Sequence, residues 1–165
     1  MKFEELKAGS QVLIDAGIFI YHFTGLSGEC SSFLERCERQ EIVGCTTTSV
    51  LLEVTHRLML LEAVSKGLIS PGDVARKLRK RPELFGQLRA YAEHVRRIPE
   101  MGVAILPVTE ELCEGAFVFQ QKYGLPVKES VVVAACKVSG CRYLATRDPV
   151  FAGVGEVIVV GPTDM

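Results

Sequence analysis

Hydrophobic positions along the chain fall into two patterns, short continuous runs and longer stretches with helical spacing. The short runs are typical of buried strands, and we place these at 11–15, 41–45, 101–107, 143–146 and 157–160. Helical spacing predicts helices at 18–21, 31–40, about 46–66, 109–124 and 126–140. Strands and helices therefore alternate along most of the chain.

This alternation predicts a three-layer α/β/α fold around a mostly parallel, five-stranded sheet. The turn at Ser70–Asp73 interrupts the pattern and opens a helical insertion around residues 71–98. Pro82 should divide that insertion into helices of roughly ten and fifteen residues. A chain of 165 residues suits one domain, so we expect a single domain over 1–165.

Composition narrows the class of protein. Hydrophobic residues make up 48% of the chain and charged residues 24%. No run approaches the roughly 18 apolar residues that cross a bilayer. The N-terminal residues lack the apolar core of a signal peptide, so we expect a soluble, cytoplasmic protein with no membrane contact.

The chain has six cysteines: Cys30, Cys37, Cys45, Cys113, Cys136 and Cys141. They form no CxxC pair, which favours buried free thiols over zinc ligands or disulfides.

Charge is unevenly distributed although the net charge is only −1. Between Arg76 and Arg97 there are eight basic residues and two acidic ones. Such a segment could contact a phosphate backbone, or it could be the solvated outer face of two helices. The sequence leaves both interpretations open.

Four acidic residues stand where a strand ends or a helix begins: Asp15, Glu53, Glu129 and Asp148. In parallel α/β sheets, ligands bind beyond the carboxyl ends of the strands, so the four side chains should meet at one edge. Gathered carboxylates repel one another, and a divalent cation such as Mg²⁺ removes that cost. The pattern therefore indicates a metal site suited to phosphodiester hydrolysis.

Each acid also has a structural explanation when it is taken alone. Asp15 could cap the helix that follows it, and Asp148 before Pro149 is a common helix start. Glu53 and Glu129 could be ordinary exposed helix acids. A nucleotide-binding α/β protein is a further alternative, but neither GxGxxG nor GxxxxGK[ST] occurs in the chain. The convergence of all four acids favours the metal site.

Several segments together resemble the PIN domain, the nuclease fold of VapC-type toxins from toxin–antitoxin modules. They are VLIDAGIFIYHF, TTTSVLLEVTHRL, PVTEEL with YGLPVKESVVVAACKVSG, and YLATRDPVFAGVGEVIVV. The resemblance covers nearly the whole chain except its basic middle segment. It implies an endoribonuclease that uses Mg²⁺ or Mn²⁺.

Carried over by position, the resemblance assigns metal-binding and catalytic roles to the same acids. Asp15 matches the first acid of the family's Asp-Thr-Asn opening. Glu53 matches the family's helix glutamate, and Asp148 matches the acid of the Thr-x-Asp-x-x-Phe ending. Two registers compete for the third acid: counting back from Gly140 selects Glu129, whereas aligning Ala134–Ala135 selects Ser130. We choose Glu129 because this keeps the charge and the small residue that follows it.

The leading prediction is an endoribonuclease toxin in which the basic segment contacts the RNA, through Arg76, Lys77, Arg79 and Lys80, with Arg147 beside the site. Family resemblance also implies a homodimer and a small antitoxin protein as partner. Phe33–Leu34 and Leu58–Leu61 would supply the apolar surface for them. The alternative is a catalytically weakened PIN-like module that binds RNA or a partner. It is favoured by Gly17, where the family has a polar residue, and by glutamate in place of aspartate at position 129.

Overall fold

A five-stranded, entirely parallel sheet forms the centre of the protein, which a computed structural model describes over residues 1–165. The strands are β1 (Gln11–Ile14), β2 (Val43–Thr47), β3 (Ala104–Leu106), β4 (Tyr143–Ala145) and β5 (Ile158–Val160). Val12 and Leu13 point to opposite faces of β1, and both are fully buried. Helices therefore cover both faces, which confirms the three-layer α/β/α architecture.

Seven α-helices connect the strands: α1 (Ala16–Phe23), α2 (Gly28–Glu38), α3 (Thr48–Ser65), α4 (Val74–Arg79), α5 (Ala90–Glu100), α6 (Glu110–Tyr123) and α7 (Val127–Ser139). The predicted ends of the last two are confirmed. The Thr109 hydroxyl accepts a hydrogen bond from the Leu112 amide, and Gly124 and Gly140 end α6 and α7 with positive φ. None of the helices combines the length and the hydropathy that a bilayer crossing requires.

The strand order β3-β2-β1-β4-β5 places the first strand at the centre of the sheet. From β1 the chain runs outward through β2 to β3, and it then returns to β4 on the other side of β1. The direction of winding thus reverses beside β1. In parallel α/β sheets such a reversal opens a crevice at the carboxyl ends of the strands.

The helical insertion is present, but its predicted division is wrong in detail. Helix α4 has only six residues, and the chain after Pro82 forms a 3-10 stretch, Pro82–Gln87, before α5 begins. The buried carboxylate of Glu62 on α3 accepts hydrogen bonds from the amides of Arg89 and Tyr91, both at 3.0 Å. This tertiary contact fixes the start of α5, and a pattern local to the insertion could not show it.

Two strand predictions also need correction. Strand β2 begins at Val43 because the Glu41 amide still donates to Arg36 of the preceding helix, at 2.9 Å. The run 101–107 is not one buried strand: β3 lies at the edge of the sheet, and Ala104 is exposed. The start of that run is a turn at Gly102, where a Cβ would lie 2.6 Å from the carbonyl oxygen of Cys37.

Most of the predicted apolar docking surface is core. Phe33, Leu34 and Leu58 are all buried, and only Leu61 of the named residues is substantially exposed, at 45%. The core therefore uses the side chains that the sequence assigned to a partner. Five of the six cysteines are buried as expected, whereas Cys113 is exposed on α6.

Candidate functional site

The four predicted acids line one pocket at the carboxyl ends of the strands. It has a volume of about 350 Å³, and its walls include Asp15, Glu53, Glu129 and Asp148. The four residues come from the end of β1, from α3, from α7 and from the segment after β4. The winding reversal beside β1 brings these separate segments together.

Asp15 is the most enclosed of the acids, and both of its carboxylate oxygens are engaged. Its Oδ1 accepts a 2.7 Å hydrogen bond from the Ala16 amide, which caps α1, and its Oδ2 accepts one of 2.7 Å from the Thr146 hydroxyl. Burial raises the pKa of Asp15, the two hydrogen bonds oppose that rise, and the charges of Glu53 and Asp148 add to it. The site is thus one in which negative charge is costly without a cation.

Thr146 connects Asp15 to Asp148. The Thr146 hydroxyl, which donates to Asp15, also accepts a 3.0 Å hydrogen bond from the Asp148 amide. Asp148 in turn caps the 3-10 stretch Pro149–Gly153, since its Oδ1 accepts from the Val150 amide at 2.9 Å. The capping roles of Asp15 and Asp148 are therefore real, and they hold both carboxylates at the pocket.

Glu53 lies on the second turn of α3, where Thr47 fixes the helix start by accepting from the Val50 amide at 3.2 Å. Its carboxylate is already paired with two cations. Lys128 Nζ lies 3.2 Å from Glu53 Oε2, and Arg57 Nη1 lies 3.8 Å from Glu53 Oε1. These cations offset part of the negative charge of the pocket.

The first turn of α7 distinguishes the two registers weighed for the third acid. Glu129 is partly exposed and lines the pocket. Ser130 is fully buried, where its hydroxyl donates to the Val127 carbonyl at 2.7 Å and accepts from Gln120 Nε2 at 3.2 Å. Glu129 is thus the side chain available to a ligand in the pocket.

Three basic side chains share the pocket with the acids: Arg57, Lys128 and Arg147. Only Arg147 was among the predicted residues. The sequence did hold a signal for the other two, because Arg57 follows Glu53 by one helical turn and Lys128 precedes Glu129. The pocket therefore presents four carboxylates and three cations together.

The predicted basic residues of the insertion lie elsewhere. Arg76, Lys77, Arg79 and Lys80 belong to α4 or its end, and none of them lines the acidic pocket. Leu78 of the insertion and Ala63 of α3 belong to one buried cluster. Arg79 lines a separate hollow, which it shares with His56 of α3. Arg76 is paired with Asp73, and Lys77 Nζ donates to the Ser70 carbonyl at 3.2 Å, whereas Arg79 and Lys80 are exposed and unpaired.

Gly17 leaves space on the pocket wall that Tyr21 occupies. A Cβ at Gly17 would lie 3.4 Å from Tyr21 Cε2 and 3.8 Å from the Tyr21 hydroxyl oxygen. Tyr21 itself lines the pocket. A polar group thus remains close to the position where glycine supplies none.

The four carboxylates of the pocket fit a hard divalent cation that binds partly through water. Carboxylate oxygens are the ligands that Mg²⁺ and Mn²⁺ accept. No three Asp, Glu, His or Cys side chains are close enough to ligate one ion jointly. The arrangement therefore suits an ion with one or two direct carboxylates and the remaining acids acting through water, as Mg²⁺ commonly binds.

Comparison with known families gives one match that covers most of the chain. Residues 12–157 match the family model described as the PIN domain. The matched range includes all four acids and four of the five strands, apart from Gln11 of β1, and it ends just before β5. The sequence has no significant match among curated proteins.

Three solved structures of similar fold are described as toxins or toxin–antitoxin complexes. A toxin–antitoxin complex from Klebsiella pneumoniae has a TM-score of 0.58 at 18% identity, covering 89% of this chain and 95% of that one. VapC20 of Mycobacterium tuberculosis, a toxin that cleaves the sarcin–ricin loop, has a TM-score of 0.57 at 14% identity, with coverage of 87% and 95%. VapBC2 of Rickettsia felis, bound to a DNA fragment from its promoter, has a TM-score of 0.59 at 11% identity, with coverage of 92% and 98%. At these identities the likeness concerns the fold alone.

Proposed function

The chain belongs to the PIN-domain family, and from this membership we propose that it is a divalent-metal-dependent endoribonuclease, the toxin of a toxin–antitoxin pair. PIN domains are generally nucleases, which hydrolyse phosphodiester bonds. Beyond nuclease activity in general, the proposal specifies that the substrate is RNA and that cleavage requires a metal ion.

One observation carries it: four acids from four separate segments line a single pocket together with three cations. Ordinary surface acids do not converge in this way. A phosphodiester needs both features, carboxylates for the metal and cations for the phosphate.

Asp15, Glu53, Glu129 and Asp148 would hold Mg²⁺ or Mn²⁺ between them, one or two of them directly and the others through water bound to the ion. When bound, the ion supplies an acidified water molecule and neutralises charge on the phosphate. Thr146 fixes the Asp15 carboxylate, and the Asp148 amide fixes Thr146. Glu129, which lines the pocket and makes no ion pair, would be the carboxylate free to orient a water molecule toward the phosphate.

The basic side chains of the pocket hold the substrate. Lys128 and Arg147 lie on its rim, where each is exposed enough to contact a phosphate oxygen of a single strand. Arg76, Lys77, Arg79 and Lys80 lie outside the pocket lining and contact the RNA backbone further along the strand. Tyr21 offers both a hydroxyl donor and a ring face to the nucleotide at the pocket wall.

A small antitoxin protein and a second copy of the chain are the proposed partners, and the cytoplasm is the proposed place of action. The fold of toxin–antitoxin proteins supports the partner class. Exposed apolar side chains for these contacts exist on other faces than predicted, for example Phe117 and Val118 on α6.

The second candidate is a PIN-like module that binds RNA or a partner without cleaving it. Gly17, which offers no side chain to the pocket, and the longer side chain of Glu129 favour this reading. It shares the fold and the cations with the nuclease, so it differs only in the chemical step.

A cleavage assay separates the two functions. Labelled single-stranded RNA is incubated with Mg²⁺, Mn²⁺ or a chelator, using wild type, Asp15→Asn and the control Glu114→Gln, which changes an exposed acid on α6. The nuclease requires metal-dependent cutting that Asp15→Asn lowers by about 100-fold or more and the control keeps. Tight RNA binding without cutting in any metal would instead establish the binding module.

A further inference from the structure

Two buried thiols, neither of which lines the acidic pocket, touch in the core. Cys45 Sγ and Cys141 Sγ lie 3.3 Å apart, although the residues are 96 positions apart in the chain. Cys45 is 7% exposed and Cys141 is 6% exposed. A disulfide bond is about 2.05 Å long, so the two sulfurs need to approach by only about 1.2 Å to be joined.

The backbone on both sides holds this proximity in place. Cys45 lies within β2 and is paired with Leu13 of β1 and Ala104 of β3. Cys141 follows Gly140, and its amide donates a 2.9 Å hydrogen bond to the Cys136 carbonyl at the end of α7. The contact is therefore a property of the core and does not depend on a mobile side chain.

The two thiols differ in acidity because they share a hydrogen bond. The bond from Cys45 lowers the pKa of Cys141, and the Ser139 hydroxyl lowers it further against the effect of burial. The same contact, together with burial, raises the pKa of Cys45. Cys141 is thus the thiol that ionises more readily, and Cys45 is the protonated neighbour that can resolve an oxidised Cys141.

We propose that Cys45 and Cys141 form an oxidative modification site that takes a small hydroperoxide, such as hydrogen peroxide, and becomes a disulfide. The Cys141 thiolate attacks one peroxide oxygen and the O–O bond breaks, which gives a sulfenic acid and a hydroxide that is protonated to water. The Cys45 sulfur then attacks the Cys141 sulfur, the S–O bond breaks, and a second water leaves with the Cys45 proton. Two thiols are oxidised by two electrons, and one peroxide is reduced to two waters.

The disulfide joins the two sides of the scaffold that carries the acids. Strand β2 leads directly into α3 and Glu53, whereas Cys141 lies between α7, which carries Glu129, and β4, which leads to Asp148. A bond across so long a loop restricts the unfolded chain far more than the folded one. The oxidised protein should therefore unfold at a higher temperature than the reduced protein.

Intact mass and peptide mapping of the full-length protein test this directly. The reduced protein is treated with a few equivalents of hydrogen peroxide, remaining thiols are alkylated, and the mass is measured. We expect the major product to be about 2 Da lighter than the reduced protein before alkylation, and to take up four alkyl groups where the reduced protein takes up six. We also expect a peptide that links Cys45 to Cys141, and reversal by a thiol reductant. Thermal unfolding with and without the reductant should show the higher midpoint for the oxidised form.

Matched variants identify the partners. Cys113→Ser removes the exposed thiol and Cys136→Ser removes another buried thiol, on α7, and both variants should still form the bond. Cys141→Ser should abolish it. A wild-type map in which Cys45 and Cys141 remain alkylated while other cysteines oxidise overturns the proposal, and this readout does not depend on whether any variant folds.

Discussion

The Thr146 hydroxyl donates a 2.7 Å hydrogen bond to the Oδ2 atom of Asp15, joining residues that are 131 positions apart in the chain. Because Thr146 is 2% exposed, no water can replace this donor without a rearrangement. The position of the first acid therefore depends on the end of the fourth strand.

Replacing Thr146 with valine tests that dependence. Thr146→Val keeps the shape of the side chain but removes the donor to Asp15 and the acceptor for the Asp148 amide. We expect metal-dependent cleavage to fall about 10- to 100-fold, since a hydrogen bond to a charged group is worth about 1.5–3 kcal/mol. Thr146→Ser should retain most of the activity, because it keeps the hydroxyl. Equal rates for valine and wild type in the RNA assay would show that Asp15 is held by other means.

The third acid can be tested with neighbouring residues. Glu129→Gln removes a carboxylate from the pocket, so it should weaken Mn²⁺ binding in a calorimetric titration and lower cleavage. Ser130→Ala removes two buried hydrogen bonds, to Val127 and Gln120, and should lower the free energy of unfolding by about 1 kcal/mol without loss of metal binding. The opposite pattern would assign the third position to Ser130.

Lys128 competes with a metal ion for Glu53. The Lys128 ammonium lies 3.2 Å from the Glu53 carboxylate, and the lysine is well exposed to solvent. Lys128→Met should therefore raise Mn²⁺ affinity by up to about tenfold, the effect of removing one charge at this distance in water. The same variant should bind single-stranded RNA more weakly in Ca²⁺, because one phosphate contact is lost. Lys137→Met, on the exposed surface of the same helix, is the control and should change neither quantity. Unchanged metal affinity in Lys128→Met would mean that the ion pair has no influence on the site.

The basic helix gives a prediction that separates its two interpretations. If α4 contacts RNA, the Arg79→Gln/Lys80→Gln double variant should bind RNA more weakly. A plot of the logarithm of the binding constant against the logarithm of the salt concentration should also become less steep by about 1.4, since each lost phosphate contact with a single strand accounts for about 0.7. The catalytic rate at saturating RNA should not change, because neither residue lines the pocket. The matched control is the Lys2→Gln/Lys7→Gln double variant. An unchanged salt slope would show that α4 is only a solvated face.

Glu62 predicts how stability depends on pH. Burial would raise its pKa, but the ion pair with Lys66 and the amides of Tyr91 and Arg89 outweigh burial and lower the pKa to about 2. A carboxyl whose pKa is lower in the folded protein stabilises it fully above its ordinary pKa of 4.5, and this contribution is lost as the pH falls toward 2.

Glu62→Gln should therefore cost on the order of 2 to 4 kcal/mol in the free energy of unfolding at pH 7, and the difference from wild type should shrink steadily below pH 4.5. Urea unfolding at several pH values measures it. Glu100→Gln, an exposed acid on α5, is the control and should have little effect at any pH. A difference between wild type and Glu62→Gln that does not change between pH 7 and pH 3 would contradict the assigned ionisation.

Much of the fold was predictable because local signals agreed with the tertiary structure. Thr109 and Gly124 delimit α6 by capping chemistry that is visible in the sequence, and the apolar run at β1 is long enough to identify a buried strand. The start of α5 was not predictable, because it depends on Glu62 from a different helix. The edge position of β3 was equally hidden, since an apolar run does not show how many neighbours a strand has.

The acids of the candidate site were predictable, because residues that follow parallel strands lie at the same edge of the sheet. Arg57 and Lys128 were missed since single cations on helices usually face solvent. The apolar surface was wrong at Phe33 and Leu34, because the same helical spacing describes a core face and a docking face. Only the packing of α2 against the rest of the protein distinguishes them.

The central position of β1 has a consequence for synthesis on the ribosome. When β1, β2 and β3 have emerged, one edge of β1 is still unpaired, and it receives β4 only after more than four-fifths of the chain has been translated. Until then Asp15 has no hydroxyl donor and the last acid has not been made. An unfinished polypeptide therefore lacks a complete pocket, and the four acids can assemble only once translation is nearly over.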